Sequence, residues 1–458
     1  MTVLPFVSAA TIRWIQLAAL AAVLGGLAVD LLVLPAGVEE LAALRRRVRR
    51  WNRLATFALI LGTGGELLVR ASIMSGGPLA SALAAVPLVL TRTHFGTIWI
   101  GRTAALVLVL LLLMAPRPRL RGAPLLLSVG VALTTSLTGH AGDWGDLTLS
   151  VFVDWIHVVA SAAWTGGLAG MAVLVLAERA TWPPTLLRTV ARRFSRLAGL
   201  CLIAVAVSGG YNAWVQVGAL APLWTTAYGR VLDAKLLAVV GLACLGAVNR
   251  YVTIPRLDPH RRSDGIASRW VRRARLVLCG PSKVPRHALP SRLAAYVARE
   301  AALAVLVLGL TATLGESVPA RHAAHAAHLA AAGAERGPYR ATMGELHESG
   351  GVPKGWMFTP PPGDPARGRR IFVRLECYSC HVVRGEDFPP PTGAGPDLTD
   401  MGEHHPAGYL AESIMNPNAV IVEGPGYTGP DGSSAMPDYR DSLTLDELID
   451  LVAYLKNR

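Results

Sequence analysis

The chain has 458 residues, of which 52% are hydrophobic and only 16% charged, an imbalance unlike that of soluble globular domains. Its net charge of +13 is unevenly spread: residues 361–458 carry 8 Lys+Arg against 15 Asp+Glu, the rest 36 against 16. The arginines lie between long apolar runs, a pattern of membrane topology rather than of a phosphate-binding face, so nucleic acid is excluded as a partner.

About 20 apolar residues suffice to cross a ~30 Å hydrocarbon core as a helix. Eight such segments occur, near residues 12–34, 53–74, 96–115, 122–140, 151–176, 197–217, 231–254 and 297–315. A further run, Leu79 to Leu90, is short and contains Pro87, which predicts a re-entrant or interfacial segment. The loops alternate in charge. Arg45–Arg50 follow the first span, Arg117–Arg121 the third, and Arg188, Arg192, Arg193 and Arg196 the fifth, while a long basic loop follows the seventh. The positive-inside rule puts these four loops in the cytoplasm of a bacterial cell and both termini in the periplasm. The first span, lacking a small-residue cleavage site, is expected to be an uncleaved inner-membrane anchor. Cys201 and Cys244 fall in apolar segments and Cys279 in the basic loop, so no disulfide framework is implied.

Polar residues inside spans are costly and become candidates for function. Glu66 and Arg70 lie four apart in the second span, and Asp233 and Lys235 open the seventh; both pairs are expected to be packing ion pairs. His94, His140 and His157 all fall near the outer side, with Asp143, Asp146 and Asp154 close in sequence. Imidazole suits copper, and carboxylates orient the second ring nitrogen, so the three histidines are candidate copper ligands.

At these residues a family resemblance emerges. Gly139-His140-Ala141, Val153 to Gly167, Arg193-Phe194-Ser195-Arg196, Ser208-Gly209-Gly210, Tyr228-Gly229-Arg230, Asn249-Arg250 and Arg299-Glu300 resemble the copper resistance protein D (CopD) family. That family is a polytopic inner-membrane group associated with moving copper across the membrane. The resemblance implies a CopD-like domain over residues 1–320 and carries over His140 and His157 as candidates.

Residues 321–362 form a linker with the repeat His322-Ala-Ala-His325-Ala-Ala-His328. On a helix these histidines drift by about 60° per step and share one broad face, a weak metal-chelating arrangement beside the simpler reading of a solvated linker.

Cys377-Tyr-Ser-Cys380-His381 has the C-x-x-C-H spacing of c-type haem attachment: two thiols for thioethers and a histidine for the iron. The competing zinc site needs a second ligand pair, which the neighbouring sequence lacks. Residues 363–458 resemble the class I cytochrome c family: an N-terminal helix led by Asp364, the haem motif, Gly395-Pro396-Asp397-Leu398, Met436-Pro437, and a C-terminal helix opened by the Thr444/Glu447 capping box. The resemblance implies that Pro396 offers its carbonyl to the haem histidine. Met401, Met415 and Met436 are candidates for the sixth iron ligand; Met436, in a loop and followed by Pro, is preferred. His404 and His405 are expected at the surface.

The expected fold is therefore all-α: an eight-span helix bundle followed by a small helical cytochrome c domain. The expected function is electron transfer through one covalent haem c, joined to copper handling, rather than substrate catalysis. The acidic haem domain favours a basic periplasmic redox partner, and lipid surrounds the spans. The alternative is a membrane-anchored respiratory cytochrome c whose helical half is an anchor or a b-haem quinol site.

Overall fold

In hydrocarbon the backbone must satisfy its own N–H and C=O groups, so long apolar runs become helices. The computed structural model describes residues 3–75, 79–115, 118–144, 146–176, 182–257, 269–271, 273–274, 288–317, 320, 339–342, 362–429, 432–440 and 442–458. In chain order the first nine principal helices are α1 (Phe6–Val33), α2 (Glu39–Ile73), α3 (Leu79–Arg92), α4 (His94–Met114), α5 (Pro118–Leu137), α6 (Leu149–Val173), α7 (Pro184–Val217), α8 (Ala227–Arg256) and α9 (Leu289–Gly315). Among the described residues all but α3 are long and apolar enough to cross a membrane, giving the eight spans expected. The α3 helix has 14 residues and keeps Pro87 inside it.

Two of the basic loops are not loops. Arg45–Arg50 lie in the helix Ala42–Ser75, and Arg188–Arg196 in Pro184–Val217. Each of these helices has 34 residues, about 51 Å at 1.5 Å per residue, so its basic turns extend beyond a ~30 Å core.

The chain divides into two units. The first comprises residues 1–64, 102–136 and 149–323. Here α1 packs on α6 and α9, α6 on α7, and α8 on α9. Backbones meet where α1 crosses α6: a Cβ on Gly166 would overlap the Ala21 carbonyl, and one on Gly25 the Gly166–Gly167 peptide. Small residues permit such close approach between membrane helices. Val29, Val33, Trp164, Leu168 and Met171 fill the core beside this crossing. Leu200, Ile203 and Val207 form an exposed stripe along α7, a face suited to lipid rather than to water.

Three helices leave α geometry for a single π turn, at Val29–Val33, Met171–Val175 and Asn249–Thr253. Such turns concentrate at functional sites. In the first, Asp30 accepts from Arg45 at 2.5 Å and lies 3.4 Å from Arg121, so the carboxylate is paired where the helix widens.

The second unit comprises residues 65–101, 137–148 and 324–458. Its C-terminal part contains α10 (Pro365–Arg374), α11 (Ala407–Met415) and α12 (Leu445–Lys456). Asp364 caps α10, its Oδ1 accepting from the N–H groups of Ala366 at 2.9 Å and Arg367 at 3.2 Å. Gly368 lets α10 lie on α12, since a Cβ there would overlap the Asp450 carbonyl. Phe372 is buried between Phe388 and Tyr454, with ring centroids at 5.5 and 5.4 Å. Strand β1 (Tyr339–Ala341), inside the stretch expected to be linker, pairs in parallel with β2 (Val420–Val422). His322, His325 and His328 lie outside the described residues.

Candidate functional site

The haem motif forms one short turn. Glu376, at φ 56°, reverses the chain so that Cys377–Ser379 can close a 3₁₀ turn. The backbone N–H groups of Cys380 and His381 then donate to the Cys377 carbonyl at 3.2 and 3.0 Å. A non-glycine residue in this region is held there by its surroundings, and the turn brings both thiols and the imidazole to one cleft.

His381 Nδ1 lies 2.9 Å from the Pro396 carbonyl. A carbonyl only accepts, so Nδ1 carries the hydrogen and Nε2 keeps the lone pair that an iron ligand needs. Apolar surroundings push the ring below its ordinary basicity, against the pull of the Pro396 carbonyl, which favours the neutral, ligating form.

The cleft is also lined by Phe372, Leu375, Leu398, Met401, Leu410, Val420, Met436, Tyr439 and Leu451. Its glycines are required by proximity: a Cβ on Gly393 would sit 2.6 Å from Cys380 Sγ, and one on Gly395 2.9 Å from the His381 ring. Met436 is placed by its loop, with its N–H donating to Ser434 Oγ at 3.2 Å and the Ala435 N–H to the Tyr427 carbonyl at 2.8 Å. An apolar cleft holding two thiols, a tautomer-fixed imidazole and a thioether fits haem c. When bound, haem supplies reversible one-electron redox chemistry.

Met436 shares the cleft with Met401, whereas Met415 does not line it. The expectation for His405 is corrected. The residue is buried at 1% exposure, its ring stacked on Tyr409 with centroids 4.6 Å apart, and it does not line the cleft. His404 is exposed as expected.

The capping box that opens α12 is formed: the Glu447 N–H donates to Thr444 Oγ1 at 3.3 Å, and the Thr444 N–H to Glu447 Oε2 at 3.0 Å. Burial pushes the Glu447 carboxyl up, but Arg374 at 2.6 Å and the Thr444 N–H outweigh it and hold the group below its usual range. The folded value is the lower one, so this stabilisation is present above the ordinary carboxylate range and is lost as pH falls through it. Glu447→Gln keeps the capping geometry and removes the charge. It is expected to cost about 1 kcal/mol at pH 7 and progressively less as pH falls through the lowered folded-state value, measured by denaturant unfolding of the haem-loaded protein.

In the first unit the candidate copper histidine His157 lies on α6, its Nδ1 3.1 Å from Ser208 Oγ on α7. Ser208 gives its only hydrogen to the Ala204 carbonyl at 2.6 Å. His157 Nδ1 is therefore the donor. His157 lines a cavity of about 80 Å³ together with Ser161, Thr165, Lys235 and Thr311. Asp154, one turn before it, accepts from Asn212 Nδ2 at 2.8 Å.

Among the second unit's residues, His94 Nε2 lies 2.9 Å from Asp146 Oδ2, and His140 opens a 3₁₀ turn after α5. Among the described residues no group of three or more His, Cys, Asp or Glu side chains has the arrangement of a metal centre. The copper reading of His94, His140 and His157 thus stands on sequence. Arg70, expected to pair with Glu66, places its guanidinium 5.6 Å from the Phe95 ring centroid.

Comparisons with known proteins bear on both halves. The family described as Copper resistance protein D matches residues 188–314, its N-terminal domain family residues 4–149, and Cytochrome c residues 365–458. Copper resistance protein D of Pseudomonas syringae pv. tomato is 30% identical over 270 residues, 56% of this chain and 78% of its own length. The chain belongs to the copper resistance protein D family. In this CopD-family chain a cytochrome c domain follows the membrane helices, which implies covalently bound haem c. Inner membrane protein YebZ of Escherichia coli (strain K12) is 28% identical over 264 residues, 57% of the chain and 88% of YebZ. Copper transport protein CutJ of Bacillus subtilis (strain 168) is 28% identical over 218 residues, 45% of the chain, which spans only 40% of CutJ. No solved structure matches the chain.

Sequence reading gave no role to the pair Asn249–Glu300. Asn249 Nδ2 donates to Glu300 Oε1 at 2.6 Å, joining α8 to α9, and both residues are 5% exposed. The available signal was two polar residues inside apolar spans.

Proposed function

We propose that this protein handles copper in a bacterial inner membrane and that its cytochrome c domain carries single electrons on the periplasmic side. The observation that carries the redox half is the His381–Pro396 hydrogen bond, which fixes Nε2 in a cleft that also holds Cys377, Cys380 and Met436. His381 and Met436 would hold the iron between them and leave no coordination site for a substrate, which suits a carrier rather than an enzyme. Family membership supports the copper half. The distribution of arginines supports placing both termini and the haem domain in the periplasm. In this reading one electron delivered to Cu(II) gives Cu(I) on the outer side. The acidic balance of the haem domain suits a basic electron donor or acceptor.

Metal analysis and a reduced-minus-oxidised spectrum of the purified protein test both halves. The expected result is one c-type haem per chain, together with copper that is lost in the double variant His140→Ala/His157→Ala while the haem band is kept. Haem without copper in the parent protein would overturn the copper half.

A further inference from the structure

A cavity of about 580 Å³ lies among α6, α7, α8 and α9; it shares Trp164 and Leu242 with the smaller His157 cavity, but His157 does not line it. Its walls are mostly apolar and include the aromatic rings of Trp164, Phe194 and Tyr251. Leu200 and Ile203, 68% and 64% exposed on the lipid-suited stripe of α7, form part of its edge. Asn249 and Glu300 are the buried polar residues of the lining, and Arg196 and Arg250 also border it. Pockets of a few hundred Å³ with apolar walls and a few placed polar groups are the usual form of small-molecule sites.

The polar pair is chemically lopsided. Asn249 spends an N–H on Glu300, and its own Oδ1 has no hydrogen-bond partner although it is buried. The Glu300 carboxylate can only accept when ionised, and among the described residues it faces no ion-pair partner. A buried acceptor left unmade costs about 1–3 kcal/mol, so the pair is complementary to a ligand that brings donors. Arg250 Nη1 donates to the Ser195 carbonyl at 2.6 Å, and no hydrogen bond joins Arg250 to the pair. Two of the three π turns, Met171–Val175 and Asn249–Thr253, supply residues to this one cavity.

We propose that the cavity binds a membrane quinol. One of its hydroxyl groups would donate to the Asn249–Glu300 pair, its flat ring would lie among Trp164, Phe194 and Tyr251, and its tail would leave past Leu200 and Ile203 into lipid. The oxidised quinone offers only acceptors to a pair that needs donors, so the site discriminates between the two redox forms by hydrogen-bond polarity. This is a binding proposal, and it stands or falls independently of copper.

The test is equilibrium binding of decylubiquinol and of decylubiquinone to the full-length haem-loaded protein in phosphatidylcholine nanodiscs. Saturable binding of the quinol, with the quinone about tenfold weaker or worse, is expected, as befits the loss of one hydrogen bond. Glu300→Gln should weaken quinol binding by a similar factor. Because that change could also disturb α8–α9 packing, Gly246→Leu provides a second variant. Gly246 lines the cavity and a Cβ there meets nothing within 4 Å, so a larger side chain at this position is expected to take up cavity space. It should abolish binding while the haem spectrum and thermal unfolding stay as in the parent. Equal affinity for both redox forms, no saturable binding, binding unchanged by Gly246→Leu, or displacement by phosphatidylethanolamine in place of quinol would each overturn the proposal.

Discussion

Met436→His will lower the reduction potential of the haem domain, by on the order of 0.1 V within the ~0.8 V range that axial ligation spans. The direction follows from the ligand: a thioether favours the reduced iron, and a second imidazole favours the oxidised one. The size of the shift also identifies the ligand, because Met401 shares the cleft and is itself buried. Met401→Leu should leave the potential and the methionine-to-iron charge-transfer band in place, and Met415→Leu likewise. A potentiometric titration in which Met401→Leu moves the potential and Met436→His does not would reassign the sixth ligand. Covalent attachment should survive all three changes, since Cys377, Cys380 and His381 are held by their own turn.

Gly166→Leu will prevent the membrane half from folding. At this position α6 lies against α1 with backbone on backbone, and even a methyl group would overlap the Ala21 carbonyl. The neighbour that would have to move is main chain, so the clash cannot relax through a rotamer, and the cost is expected to be about 3 kcal/mol or more. Gly130→Ala is the matched control, since nothing stands within 4 Å of its Cβ; it should be neutral or slightly stabilising in mid-helix. Size-exclusion profiles and thermal unfolding in detergent measure both. A monodisperse Gly166→Leu protein that unfolds at the parent temperature would show that α1 and α6 do not pack this way.

What sequence reveals and hides here follows from distance along the chain. The C-x-x-C-H turn, the Asp364 cap, the Thr444/Glu447 box and the eight spans are local patterns, and each is formed as expected. The His157–Ser208 and Asn249–Glu300 bonds join residues 51 apart, and they depend on which faces of α6 and α7, or of α8 and α9, meet. A single sequence shows the polar residues but not their partners. His405 was misplaced because its burial comes from stacking on Tyr409 and from Lys456 Nζ, which donates to its carbonyl at 2.9 Å. Strand β1 escaped notice because three residues carry no periodicity, and its partner lies about 80 positions away. The basic turns of α2 and α7 look like loops in the sequence because charge ends an apolar run without ending a helix.

The π turns have a bearing on length variation. A π turn is an α-helix with one residue inserted, the excess being absorbed by a single widened turn. Deleting one residue within Asn249–Thr253 would restore regular α pitch while keeping both flanks of α8 in their present orientation. One-residue deletions should therefore be tolerated inside the three widened turns and disruptive elsewhere in the same spans, where the removal would rotate everything beyond it by about 100°. The same deletion would pull Asn249 out of its bulge and away from Glu300. The extra residue in α8 thus serves position rather than stability, since it aims one amide that a regular helix would turn elsewhere.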